Sequence, residues 1–233
     1  MLAPGKVNLC LLVGAPREDG YHPLVSLVQP VDLADEVNLK GPGPFRFDEV
    51  ICAGVEGENL ALTAVREFRA LTGWDGPPVA IEIVKRIPVA AGMAGGSSDA
   101  AAALRLISQV SGLPIPKELP MRLGADVTVM LGGERALMTG AGEHVEPLPG
   151  FKPPLIVVPL DAAAQALRGG TFEHVNDLEP AARRLCPLIE PALEALREAG
   201  ARHSMVSGSG PTVFGIGGDL ELVRARYPRA VAA

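Results

Sequence analysis

The feature that most narrows the fold is a strand-like run, Val79-Ala80-Ile81-Glu82-Ile83-Val84, followed by a glycine-rich turn, Gly92-Met93-Ala94-Gly95-Gly96, and a long alanine-rich segment stopped by Gly112 and Pro114. β-Branched residues at every second position mark the strand. Ser97 or Ser98 is expected to cap the helix that follows, which runs through Val110. Ala100 to Ala103 give that helix a narrow face able to approach a sheet closely. A strand turning into a helix over glycine leaves unpaired amides and the positive end of the helix dipole facing outward, which suits an anion. Gly92, Ala94, Gly95, Gly96, Ser97 and Ser98 are therefore candidates to hold phosphate oxygens, and Ser97 or Ser98 to touch a metal that phosphate carries. Two readings stay open at this level: phosphate binding, or a sharp turn into a tightly packed helix. Two familiar nucleotide loops are missing, because Val7 follows the single Gly-Lys pair and no Gly-x-Gly-x-x-Gly string occurs.

Glycine and proline punctuate the rest of the chain rather than forming one linker. Val7 to Val13 reads as a first strand, and Pro23 to Val37 holds shorter apolar pieces before a loop from Gly41 to Pro44. Glu58-Asn59-Leu60 opens a helix with Leu60, Ala64, Phe68 and Leu71 on one face, closed by Gly73. A second glycine turn, Gly124-Ala125-Asp126, precedes the apolar run Val127 to Leu131. Proline clusters between Pro147 and Pro154 suggest a division into residues 1–150 and 151–233. The second part reads strand (155–158), irregular segment, helix (191–199), strand (203–207), glycine turn (208–211), strand (212–216), helix (220–227) and a stub of a last strand, a ferredoxin-like α+β pattern.

Composition removes several function classes. Acidic residues outnumber basic ones, 27 to 21, for a net charge of −6 without a basic run, which disfavours nucleic acid as a partner. Aromatics are 4% of the chain, too few for a base-stacking platform. Cys10, Cys52 and Cys186 are odd in number and widely spaced, fitting a reducing cytoplasm better than a disulfide framework or a zinc site. Neither a signal pattern nor a membrane-spanning run is expected.

Five strings in order change the reading of the glycine turn: Ala3-Pro4-Gly5-Lys6-Val7-Asn8-Leu9, Asp19-Gly20-Tyr21-His22-Pro23, Pro88 to Ala101, Leu123-Gly124-Ala125-Asp126-Val127, and Val206-Ser207-Gly208-Ser209-Gly210-Pro211. This series resembles the GHMP kinase superfamily, and within it the branch whose acceptor is cytidine diphosphate methylerythritol, an intermediate of isoprenoid synthesis. Glu58-Asn59-Leu60, Lys85-Arg86-Ile87-Pro88, Gly140-Ala141-Gly142-Glu143 and Asn176-Asp177-Leu178-Glu179 add lesser matches. The resemblance implies a two-domain α+β kinase, its N-terminal half of the ribosomal-protein type and its C-terminal half ferredoxin-like, with the site in the cleft between them. It implies ATP with Mg2+ on the glycine loop, Lys6 and Asp126 as the catalytic pair, and Asn59 and Lys85 near the nucleotide. Asn8, Tyr21, His22, Gly208, Ser209 and Gly210 would meet the acceptor, and the protein would act as a monomer or homodimer. Rival readings are a family member with a mevalonate- or homoserine-type acceptor, and a catalytically silent ATP-binding copy.

The chemistry is coherent with those residues. Phosphoryl transfer to an alcohol needs a group to take the hydroxyl proton and positive charge to stabilise the developing alkoxide; a carboxylate and a lysine supply them. Left alone, Asp126 reads rather as a turn former and Lys6 as a solvated strand end; the resemblance reverses that preference. Met93 and Ala94 replace the leucine and glycine usual in the family's loop, so a positive φ at position 94 costs on the order of 1 kcal/mol. Thr128-Val129 replaces Pro-Phe, and the stretch from Leu160 to Asn176 is short for the family, leaving Thr171 and Phe172 as candidates to close over a base.

Overall fold

A computed structural model describes residues 1–18, 20–40, 45–55, 57–148, 155–158, 176 and 178–232. Asp19, the loop from Gly41 to Pro44, the stretch from Pro149 to Pro154, Asp177, and residues 159–175 with Thr171 and Phe172 lie outside them.

The first sheet is organised by its longest strand, β2 (Leu24–Lys40), which pairs with β1 (Leu2–Val13) and with two further strands. β5 (Ala136–Gly140) pairs with its start and β4 (Ala80–Val84) with its end, while β3 (Glu49–Cys52) and β6 (His144–Pro147) complete six strands. All pairings are antiparallel except β3 with β4. Helices α1 (Leu60–Thr72), α2 (Gly95–Ser111), α3 (Leu119–Leu123) and α4 (Ala125–Gly132) pack with this sheet around Phe68, Ile81, Leu104, Ile107 and Val127. The α1 boundaries follow the sequence signals, since Asn59 Oδ1 accepts from the Ala61 amide and Gly73 closes the helix at φ 70°. Its buried stripe is Ala61, Ala64, Val65 and Phe68, whereas Leu71 is exposed.

The second sheet has the order β10-β7-β9-β8, from β7 (Leu155–Val158), β8 (His203–Val206), β9 (Val213–Ile216) and the two-residue β10 (Val231–Ala232). This interleaved order is the ferredoxin-like one expected, and the terminal stub is its edge strand. Helices α5 (Glu179–Leu185), α6 (Ile189–Glu198) and α7 (Leu220–Arg226) accompany it. No periodic apolar stripe announces the seven-residue α5, so the sequence reads it as irregular.

The two sheets meet through one apolar cluster. Val7, Val31, Ile87, Ala91 and Met93 from the first half pack with Leu155 and Phe214 from the second. Met93, at an unusual position for the family's loop, is 1% exposed and anchors that loop in the cluster.

One sequence expectation is corrected here. The long helix begins at Gly95 and its N-cap is Ala94, in the left-handed region at φ 53°, so neither Ser97 nor Ser98 caps it. Both serines lie inside the first turn, where a hydroxyl cannot play the capping role. Ser98 Oγ instead donates to the Pro4 carbonyl at 2.7 Å, tying α2 to β1.

Candidate active site

Lys6 and Asn8 project inward from β1, and the ladder with β2 slips register on either side of them. Slips of this kind re-aim neighbouring side chains. Lys6 is 6% exposed, and its ammonium donates to Asn8 Oδ1 at 2.7 Å and to the Gly92 carbonyl at 3.4 Å. Asp126 Oδ2 stands 3.9 Å from the same nitrogen. The sequence reads Asp126 as a turn residue, and the structure puts it in the first turn of α4, where the helix dipole favours a carboxylate. Its side chain is 36% exposed, so the carboxylate meets the lysine on one side and solvent on the other.

Gly92 forms part of the wall of a cavity of about 350 Å3. Asn59 at the α1 start, Lys85 after β4, Gly95 and Gly96 line it too, with Cys52 and Leu60 supplying apolar surface. Among the described residues no side chain caps the first amides of α2, whereas Asn59 and Asp219 cap α1 and α7. The uncapped start of the 17-residue helix therefore opens onto this cavity with its donors and dipole available to an anion. Ser97 is half-buried in that turn, and Ser98 faces the protein at 2% exposure with its hydrogen committed to Pro4. Burial raises the Cys52 thiol above its usual range, making it a poor nucleophile.

Lys85 is not a solvated strand charge. Its ammonium bonds Asp35 Oδ2 at 2.5 Å and Asp99 Oδ2 at 2.9 Å. Burial pulls the lysine down, but the hydrogen bonds to Asp35 and Asp99 outweigh it, and its pKa rises. Burial pushes the Asp99 carboxyl up to about 6 against the pull of Lys85, with like charge on Asp35 adding to the rise. Asp35 is fully buried, and its Oδ1 accepts from the Arg86 and Ile87 amides, fixing the segment that leads into the glycine loop. Sequence reasoning missed Asp35 and Asp99. Asp99 sits beside the serines of the glycine motif; nothing local marks Asp35, whose partner Lys85 is 50 residues away.

The hairpin joining β1 to β2 carries Tyr21, 63% exposed, and His22, whose Nδ1 lies 2.9 Å from the Gly14 carbonyl. A carbonyl only accepts, which assigns a proton to Nδ1, so that in the neutral ring Nε2 is the acceptor. Arg17 of this hairpin pairs with Glu143 at 3.2 Å. Glu143 ends a turn whose Gly142 abuts Ala125, next to Asp126, so the hairpin is tethered to the Asp126 end of α4. From the second half, the 207–211 turn presses on the centre. Ser207 Oγ accepts from the Asn8 backbone N–H at 3.0 Å. A side chain on Gly208 would come within 2.9 Å of Asn8 Oδ1. Gly92, at φ 78°, has no room for a Cβ beside the Gly210 carbonyl oxygen, so the two glycine turns interlock. Ser209 is exposed at the tip.

The chain matches the GHMP kinases N terminal domain over residues 59–137 and the GHMP kinases C terminal domain over 161–233. The chain belongs to the GHMP kinase family. Among its relatives, 4-diphosphocytidyl-2-C-methyl-D-erythritol kinase of Kineococcus radiotolerans is 37% identical, the match covering 91% of this chain and 79% of that protein. The protein of the same name from Methylorubrum extorquens is 39% identical, over 93% of this chain and 89% of its own. A crystal structure of 4-(cytidine 5'-diphospho)-2C-methyl-D-erythritol kinase superposes with a TM-score of 0.82 at 33% identity, covering all of this chain and 97% of that one. Homoserine kinase from Cytophaga hutchinsonii shares the GHMP kinase fold, with a TM-score of 0.64 at 16% identity. As a family member the chain is an ATP-dependent small-molecule kinase. Among the described residues no helix is long and apolar enough to cross a membrane.

Proposed function

We propose that this kinase transfers the γ-phosphoryl group of ATP to the 2-hydroxyl of 4-diphosphocytidyl-2-C-methyl-D-erythritol, in the non-mevalonate route to isoprenoids. The observation that carries the reading is the Lys6–Asp126 pair, 3.9 Å apart against the Gly92 wall of a nucleotide-sized cavity. The relatives named for this reaction support the choice of acceptor. A division into residues 1–150 and 151–233 is part of the proposal, supported by a first sheet ending at Pro147 and a second beginning at Leu155. A cytoplasmic setting suits three free thiols.

In this mechanism the base of ATP rests among Asn59, Leu60 and Cys52, and its phosphates lie on the amides of Gly95, Gly96 and Ser97. The acceptor hydroxyl sits at the exposed side of Asp126, which takes its proton as the oxygen bonds to the γ-phosphorus. The bond to the β-phosphate oxygen breaks, and ADP leaves with the electron pair. Lys6 faces the developing negative charge from a fixed position, because Asn8 Oδ1 and the Gly92 carbonyl hold two of its three hydrogens. Magnesium bound with ATP would neutralise phosphate charge. Among the described residues no group of three His, Cys, Asp or Glu side chains could cage it, so the half-buried Ser97 hydroxyl and the phosphates are its candidate ligands. Tyr21 offers its face to the cytosine ring and His22 its Nε2 to the exocyclic amine.

The left-handed Ala94 favours a second reading, a copy that keeps the fold without turnover. Incubation with MgATP and three acceptors in parallel (the cytidyl substrate, mevalonate and homoserine) separates these readings. Phosphorylation of the cytidyl substrate alone is expected. Transfer to mevalonate or homoserine instead contradicts the assigned acceptor, and silence with all three favours the inactive copy.

A further inference from the structure

The register slips around Lys6 and Asn8 leave three polar side chains inside the protein: Lys6, Asn8 and Ser26 are 6%, 4% and 0% exposed. Buried polar groups need partners, and these three are joined in a single line. Ser26 Oγ donates to the Cys10 carbonyl at 2.9 Å, Asn8 Nδ2 donates to Ser26 Oγ at 2.7 Å, and Lys6 Nζ donates to Asn8 Oδ1 at 2.7 Å.

Elementary valence fixes the direction of every bond. A hydroxyl has one hydrogen, and the Cys10 carbonyl, which can only accept, takes it. Ser26 therefore meets Asn8 only as an acceptor, so the amide turns its NH2 group to Ser26 and its oxygen to Lys6. The ammonium can only donate, which makes this the one orientation that satisfies both neighbours. With the amide reversed, donor would face donor at Lys6 and acceptor would face acceptor at Ser26, among side chains too deeply buried for bulk solvent to relieve either clash.

We propose that Ser26 is a positioning residue for phosphoryl transfer: its hydroxyl sets the orientation of the Asn8 amide, which holds the Lys6 ammonium in place before Asp126. Fully buried, Ser26 touches no reactant and acts only through Asn8. The consequence for turnover rests on the kinase reading above; the hydrogen-bonded line does not.

Two measurements test it. In nitrogen–proton correlation spectra of the intact protein, the Asn8 side-chain amide is protected from solvent exchange. Ser26→Ala removes that protection and moves the Lys6 ammonium signal, while Ser26→Thr keeps both. Ser26→Cys, with nearly the same volume and a weaker hydrogen bond, falls between and serves if the alanine variant does not fold. The second measurement is a double-mutant cycle with the cytidyl substrate. Ser26→Ala lowers kcat by about 10- to 100-fold with the KM for ATP unchanged within about two-fold, and adds no further loss to Asn8→Ala. Unchanged Asn8 and Lys6 signals in the Ser26 variants overturn the proposal, as do kcat losses that multiply in the cycle. A wild-type protein silent with every acceptor contradicts the kinase reading, and the spectra then decide the role of Ser26 alone.

Discussion

Lys85 stands 2.5 and 2.9 Å from two buried carboxylates, whereas Lys6, among the described residues, stands 3.9 Å from a single, partly exposed one and makes its shortest bond to the neutral Asn8. The first cluster is closed. Asp35 also holds two backbone amides, so the charges lock β2, the end of β4 and the start of α2 into one piece. The second is open, with a lysine fixed by neutral groups and a carboxylate exposed to solvent on one side. Both lysines lie near the same cavity, yet the closed cluster shapes its wall and the open one is, in the proposed mechanism, the one that carries the chemistry. Charge pairing thus separates a structural lysine from the one proposed to be reactive where burial alone does not, since neither is freely solvated.

Replacing each lysine in turn gives the largest contrast. Lys6→Met is expected to lower kcat by about 10^2- to 10^3-fold because it removes charge from the transition state, with only a modest fall in Tm, since it leaves the neutral Asn8 Oδ1 without its donor. Lys85→Met leaves two buried carboxylates without their cation and costs roughly 3–5 kcal/mol of stability, read as a fall in Tm and in the denaturant midpoint. Equal loss of stability in both variants would erase the distinction.

The closed cluster also carries a pH signature. Unfolded aspartate titrates near pH ~4, and folded Asp99 near 6. Between these values the native state binds the extra proton, so this carboxyl's contribution to stability is full below about pH 4 and is lost as pH rises through about 6. Measured across that window, the Tm of wild type should fall relative to Asp99→Asn; a difference that stays flat contradicts the raised value.

At the acceptor end, Tyr21→Ala should raise the KM for the cytidyl substrate by about 10-fold, equivalent to ~1.4 kcal/mol within the range of aromatic–base stacking, and leave the KM for ATP alone. The smallest effect belongs to the loop beside Lys85. Ala94→Gly relieves a left-handed alanine and should stabilise the protein by about 1 kcal/mol, with a tighter ATP KM if the bound loop keeps that conformation. A destabilised Ala94→Gly protein would show that φ 53° carries no strain.

The sequence made the elements legible where local signals are strong: α1 between Asn59 and Gly73, the strand–glycine–helix unit, and the ferredoxin-like order of the second half. Lys6 and Asp126 were found through motif resemblance and do come together, although they are 120 residues apart. Asp35 stayed hidden because its role depends on pairing across 50 residues, and an aspartate in a β-strand has no local signature of burial. The serine cap failed for a similar reason. Ser98 is drawn to the Pro4 carbonyl on a neighbouring strand, a tertiary partner that capping preference does not register.

The most direct test is rapid-quench transfer of labelled γ-phosphoryl from ATP to the cytidyl substrate by wild type and Asp126→Asn, alongside ATP affinity measured at equilibrium. With Asp126 as the proton acceptor, the variant loses the transfer step by about 10^2-fold or more while binding ATP nearly as wild type does. Transfer at the wild-type rate in Asp126→Asn contradicts that assignment and, with it, the claim that the open lysine–carboxylate pair is the reactive one.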